Sequence, residues 1–350
     1  MNSSNTTSIN SVWFPVLGIA GLSLAAGAVV RKVLAAKPRE PIPLRDKVVL
    51  ITGGSRGLGL ALAQEFGKYG SRIAICARDA NELDEASRQL QQNGVTATPF
   101  VHDVANPEEA TRLIQEVIER LGAIDVLINN AGIIKVAPFE SFDHAEYERA
   151  MNVMFWAPVN LSLAALPHME SRGAGQIVNV TSVGGRVSIP HLLPYSCAKF
   201  ALVGFSTGLS AEAKSKGIHV LTVVPGLMRT GSYLNAEFAG DASKEFAWFG
   251  ILGNLPGFSV AADYAASEIR QALQAQKYNC TISLPAKILV ALEALAPDTL
   301  RTILWAVKEI LPDEQNAAAQ RGKYLNAAFG KLFQAVTSLG RTAAANLNEG

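Results

Sequence analysis

A chain of 350 residues, 49% of them apolar, can bury the core of one large α/β domain with extensions, or of two domains at most. Its 31 Lys and Arg balance 30 Asp and Glu, which leaves no basic field for a nucleic acid. Three scattered cysteines (Cys76, Cys197, Cys280) exclude a disulfide framework and fit a reducing compartment, and the five histidines lack metal-ligand spacing, so no metal is expected.

After a polar tail over residues 1–11, residues 12–30 (VWFPVLGIAGLSLAAGAVV) carry no charge and approach the roughly 20 residues that cross a bilayer core. Arg31, Lys32, Lys37 and Arg39 follow this run and no cation precedes it. The positive-inside bias then puts the C-terminal side in the cytoplasm, whereas a secretory signal would carry its positive charge first. The pattern predicts a single transmembrane anchor, with a cleaved presequence or a peripheral hairpin as alternatives. Residues 31–45, with KPREPIPLR, read as an extended linker.

Residues 47–52 (KVVLIT) form a buried-strand run that breaks into Gly53, Gly54, Ser55, Arg56, Gly57, Leu58 and Gly59 before a helical pattern through Tyr69. Glycines in such a turn let the backbone approach a pyrophosphate, and the helix N-terminus offers unpaired N–H groups to the anion. The next strand, 72–77, ends at Ala77 and Arg78. An acid near this point would hold the ribose 2′-hydroxyl of NAD, whereas an arginine suits the 2′-phosphate of NADP. Arg78 and Arg56 favour NADPH. Asp79 is the counter-argument, and NAD is the alternative.

A helix over 81–93, a strand over 96–101, Asp103 with Val104, and a helix over 107–121 follow. A strand over 125–129 (DVLIN) leads to Asn130, Ala131 and Gly132. The helix predicted over 145–171 carries Asn152, a polar amide on an apolar face that calls for buried partners. A strand over 177–181 ends before Ser182, and the helix over 195–216 places Tyr195 and Lys199 four residues apart on one face. An ammonium near a phenol favours the phenolate, but bringing a tyrosine from about 10 to roughly 7 asks about 4 kcal/mol. Lys199 alone would not supply that, and a cationic cofactor ring would help. Strands over 218–224 and 279–284, the first followed by Pro225, Gly226 and Thr230, complete a Rossmann-type doubly wound α/β sheet of about seven parallel strands across residues 46–284.

Three motifs together are more specific than any one. Thr-Gly-x-x-x-Gly-x-Gly from Thr52, Asn-Asn-Ala-Gly from Asn129, and Ser182 thirteen residues before Tyr195-x-x-x-Lys199 resemble the short-chain dehydrogenase/reductase family over residues 44–284. The resemblance implies hydride transfer between a nicotinamide and a carbonyl, with Tyr195 as proton donor, Ser182 bonding the carbonyl, Lys199 binding the nicotinamide ribose and Asn152 relaying protons through a water. It also implies that Asp103 contacts the adenine, that Asn130–Gly132 line the cofactor cleft, and that the loop through Pro225, Gly226 and Thr230 holds the carboxamide end. Family members commonly pair through the helices bearing Asn152 and Tyr195, so a homodimer is expected. The expected activity is an NADPH-dependent reductase of a lipophilic ketone or aldehyde; an NAD-linked alcohol dehydrogenase and a non-catalytic dinucleotide-binding scaffold are the alternatives.

Residues 231–260 read as a substrate lid rich in large apolar groups: Phe238, Phe246, Trp248, Phe249, Ile251, Leu252, Leu255 and Phe258. These either line a pocket for an apolar substrate or pack on the C-terminal extension or lipid. That extension, 285–350, shows helical spacing at Leu300, Ile303, Leu304, Val307, Ile310 and Leu311, and again at Leu325, Phe329, Leu332, Phe333 and Val336. Packing on the domain is the expectation, with a membrane-surface role as the alternative.

Overall fold

A computed structural model describes residues 40–313, 318–326 and 329–349. The anchor predicted over 12–30 and most of the linker lie outside the described residues. The run VVLIT makes β1 (Val48–Thr52), an inner strand with all five residues buried. A glycine turn leads into α1 (Gly57–Lys68), and the alternation continues through β2 (Arg72–Ala77), α2 (Ala80–Gln92), β3 (Ala97–Val101), α3 (Pro107–Leu121) and β4 (Val126–Asn129). After the short β5 (Lys135–Val136), α4 (His144–Met151) runs through a π-helical turn (Asn152–Trp156) into α5 (Ala157–Ser171). Then come β6 (Gly175–Val180), α6 (Leu193–Glu212) and β7 (Ile218–Pro225).

The next segment holds β8 (Leu227–Arg229), α7 (Ser232–Asn235), β9 (Glu237–Phe238), α8 (Ala242–Asn254), β10 (Ser259–Ala261), α9 (Ala262–Gln274) and β11 (Asn279–Ile282). The C-terminal part adds α10 (Leu284–Leu295), α11 (Pro297–Lys308), β12 (Gln320–Arg321), α12 (Gly322–Asn326), α13 (Lys331–Val336) and α14 (Ser338–Asn346).

Seven parallel strands form the main sheet in the order β11-β7-β6-β4-β1-β2-β3. Successive residues of β1 serve opposite faces. Val49 and Ile51 pack with Leu62, Phe66 and Ile269 of α1 and α9, and Val48 and Leu50 with Leu113, Leu161 and Ala165 of α3 and α5. Each fully buried aliphatic or aromatic side chain contributes about 1.5–3 kcal/mol, so burial on both faces holds the sheet between its two helical layers. The chain reverses its winding between β1 and β4, which opens a crevice at their C-terminal ends.

One described helical run, His144–Ser171, is long and apolar enough to cross a membrane, but its Ala157, Leu161, Ala165 and Met169 are buried against the sheet. It is a core element of the α/β unit. The extension divides in two. Leu325 and Phe333 are buried with the lid, whereas Ile303, Trp305, Val307 and Ile310 of the α11 segment face outward and only Leu300 of that helix is buried.

Candidate active site

A cleft of about 640 Å³ runs along the C-terminal ends of the strands. Its inner wall is the glycine turn. Gly53 and Gly57 hold φ of +63° and +56°, where a side chain is strained, and a Cβ at Gly53 would lie 3.0 Å from Ala131 Cα. Gly53, Ser55, Arg56, Gly57 and Leu58 line the cleft. Gly59 lies behind this lining: a Cβ there would run into the Gly53 carbonyl, so its lack of a side chain permits the approach of α1 to the turn.

Thr52 joins this turn to the end of β4. Its Oγ1 accepts from the N–H groups of Asn130 (3.0 Å) and Ala131 (3.2 Å), and Asn130 Nδ2 donates to the carbonyls of Thr52 (3.0 Å) and Gly53 (3.2 Å). Asn129 points the other way. Its Nδ2 donates to Asn179 Oδ1 (2.8 Å), Asn179 Nδ2 to Ser206 Oγ (3.0 Å), and Ser206 meets Thr222 at 2.7 Å. This buried chain of polar groups ties β4, β6, α6 and β7 behind the cleft.

Ser182, Tyr195 and Lys199 line the same cleft further along. Ser182 Oγ accepts from the Gly184 N–H at 3.0 Å and shares a hydrogen bond with Tyr195. Lys199, 4% exposed, donates from Nζ to the Val180 carbonyl at 2.9 Å, and that nitrogen lies 5.8 Å from the centroid of the Tyr195 ring. Burial pushes the Lys199 ammonium down to about 8. Burial also raises the Tyr195 phenol above its ordinary value, and the bond to Ser182 pulls it partly back. The protein alone therefore does not make this phenol acidic.

Asn152 departs from expectation. It heads the π-helical turn and is exposed rather than buried, and its neighbour Val153 lines the cleft in its place. The π-turn shifts the register of the helix face by part of a turn, which a 3.6-residue pattern cannot anticipate.

At the far end, Arg78 and Asp103 line the cleft and pair at 3.9 Å, and Asp103 also accepts from the Ala105 N–H at 3.1 Å. Val104 lines the same wall. Asp79 accepts from the N–H groups of Asn81 (2.8 Å) and Glu82 (3.2 Å), which makes it the N-cap of α2. Arg56 Nη1 donates to Glu82 Oε1 at 2.9 Å, and Ser55 Oγ to Glu82 Oε2 at 3.0 Å. Pro225, Gly226 and Thr230 close the cleft from the end of β7, where the Thr230 hydroxyl accepts from the Ser232 N–H at 3.2 Å.

Glu82, Arg321 and Glu349 also line the cleft, and sequence reasoning passed over all three. Glu82 had a signal, one helical turn after the tip of β2. Arg321 and Glu349 come from the far end of the chain and had none.

A glycine turn at a helix N-terminus, a crevice at the winding reversal and a Ser/Tyr/Lys group facing it fit a pyridine dinucleotide and define a dinucleotide-linked oxidoreductase. The family model of short chain dehydrogenases matches residues 47–237. The chain belongs to the short-chain dehydrogenase/reductase family, whose members act on CH–OH and C=O groups with NAD(P). It is 32% identical over 320 residues to the Danio rerio "Dehydrogenase/reductase SDR family member 7B", covering 88% of this chain and 98% of that one. It is 36% identical over 203 residues to an Acinetobacter baylyi "Fatty acyl-CoA reductase", covering 57% of this chain and 68% of that one. A crystal structure of L-sorbose reductase from Gluconobacter frateurii complexed with NADPH and L-sorbose superposes with a TM-score of 0.62 at 26% identity, covering 69% of this chain and 97% of that one.

Proposed function

We propose that this protein is a membrane-anchored, NADPH-dependent reductase of a lipophilic ketone or aldehyde, or in reverse an NADP-dependent dehydrogenase of the matching alcohol. The observation that carries the reading is the burial of Lys199 beside Tyr195 and Ser182, in one cleft with the glycine turn. The dinucleotide supplies the hydride. Ser182 holds the substrate carbonyl and bonds the oxygen as negative charge gathers on it. Tyr195 delivers its hydroxyl proton to that oxygen, and Lys199 stabilises the phenolate left behind. An ammonium fixed at the Val180 carbonyl needs no reorganisation when this charge appears. Asn152, at the head of the π-turn beside the cleft-lining Val153, would hold the water that resupplies the proton.

The choice of NADPH rests on Arg78. Asp79, the acid that could have held a 2′-hydroxyl, is engaged as a helix cap, and Asp103 meets Arg78 only at 3.9 Å, which leaves that guanidinium able to bind a phosphate. Glu82 favours the second reading, an NAD-linked dehydrogenase, because it neutralises Arg56.

The lipophilic substrate is supported by the charge-free stretch over 12–30, which would hold the enzyme at a bilayer with its catalytic domain in the cytoplasm, and by the fatty acyl-CoA reductase among its relatives. Exposed Trp156, Leu163 and Phe200 on the helices bearing Asn152 and Tyr195 support the homodimer.

Tyr195→Phe tests the chemistry. In a screen of long-chain ketones and aldehydes read by NADPH oxidation, we expect turnover to fall by about 10³-fold with NADPH affinity unchanged. Full activity in the variant refutes the assignment, and a parallel titration with NADH decides the cofactor.

A further inference from the structure

The C-terminal end of the chain folds back onto the glycine turn. The carbonyl of Leu347 accepts from the Gly57 N–H at 2.8 Å, the first residue of α1. Asn348 Nδ2 donates to the carbonyls of Ser55 (3.1 Å) and Glu82 (3.3 Å). Glu349 is 7% exposed, and a Cβ built at Gly57 would run into its Oε1. Its Oε2 lies 3.8 Å from Arg56 Nε and accepts from Asn235 Nδ2 at 2.6 Å. The Asn235 amide also bonds the Glu349 carbonyl at 2.9 Å, so the lid grips the strap.

These are the groups that an α-helix N-terminus offers to a bound anion. The Gly57 N–H, held here by the Leu347 carbonyl, and the Arg56 guanidinium, held here by Glu349, are the donors that a diphosphate over this turn would need. A diphosphate in that place would also run into the buried Glu349 side chain, which lies directly over Gly57. The surroundings are not ideal for the carboxyl itself: burial and Glu82 push it up to about 7 against the pull of Arg56 and Asn235.

We propose that residues 347–349 are an internal occupant of the diphosphate seat, and that this strap must leave the glycine turn before a dinucleotide binds. The proposal rests on reading the cleft as a dinucleotide site. It makes the apparent affinity for any pyridine dinucleotide lower than the intrinsic one by the fraction of chains whose strap is released.

The test is fluorescence titration of the detergent-solubilised full chain, of Glu349→Ala and of a chain ending at Asn346, each with NADPH and with NADH. Both variants should bind both dinucleotides more tightly than the full chain, by about tenfold and by the same factor, because the diphosphate is common to the two ligands. Affinity unchanged or weakened in the variants, with the full chain binding, overturns the strap alone. No binding by any of the three overturns the dinucleotide reading and the strap with it. If the variants do not fold, hydrogen exchange of residues 343–349 in the full chain decides: saturating NADPH should speed it, and slower exchange overturns the proposal.

Discussion

The two walls of the cleft are made in different ways. The inner wall comes from strand ends and the turns that leave them, and its contacts fasten strand ends to what lies beside them, Thr52 of β1 to Asn130 after β4 and Lys199 of α6 to Val180 of β6. The outer wall comes from the lid and from residues 320–326 and 329–349, joined mostly through aromatic packing. The Phe246 ring packs at a tilt on Phe329 and on Phe333, each at 5.3 Å, and edge-to-face with Phe238 at 5.4 Å. The lid's large apolar groups are thus largely spent on the C-terminal extension rather than on a substrate pocket, while Ile251, Leu252 and Phe258 remain exposed. The difference separates what holds a dinucleotide from what admits a substrate.

That difference also explains what could be read from the sequence. The inner wall was legible because each of its parts is a local pattern: an apolar run, a glycine spacing, two residues four apart. Even there a local irregularity escaped, since the π-turn at Asn152 breaks helical periodicity without any breaker residue. The outer wall was half legible. Apolar spacing announced the helices around Leu325 and Phe333 but could not say which surface they cover. The strap was invisible, because Asn348 and Ser55 meet across 293 residues and the polar end NLNEG carries no periodicity.

The sharpest way to break the inner wall is Gly59→Val. The added branch would collide with the Gly53 backbone rather than with a flexible side chain, so it must part α1 from the turn. A cost of more than about 3 kcal/mol is expected, with loss of dinucleotide binding, read as a shift of the urea midpoint and a flat NADPH titration. A variant of native stability that binds NADPH would show that Gly59 does not set the approach of helix to strand.

The matching lesion in the outer wall is Phe333→Ala, which removes a buried ring from between Phe246 and Phe329. Truncating such a ring costs about 3 kcal/mol. We expect that loss to be felt as faster hydrogen exchange in α8 and α13, with β1 and β4 as protected as before. Equal acceleration in the sheet would mean that the two walls unfold as one unit.

The smallest effect is a pH dependence of the strap. Glu349 in the docked strap titrates at about 7, above its ordinary value of 4.5, because burial outweighs Arg56 of the glycine turn and Asn235 of the lid, with Glu82 of α2 adding repulsion. A carboxyl whose value is raised on docking holds its proton more firmly when docked. Docking is therefore favoured most below about pH 4.5 and is progressively lost as pH rises through about 7. Between pH 6 and pH 8 the docking constant should fall by roughly tenfold. Titrations of the full chain and of the chain ending at Asn346 at both pH values isolate the effect, since the ionisation of the dinucleotide cancels in their ratio. The advantage of the shortened chain should be larger at pH 6 than at pH 8. An advantage that grows with pH instead would mean that Glu349 sits in the seat as a carboxylate favoured by the amides of α1, with Arg56 and the helix N-terminus outweighing its burial.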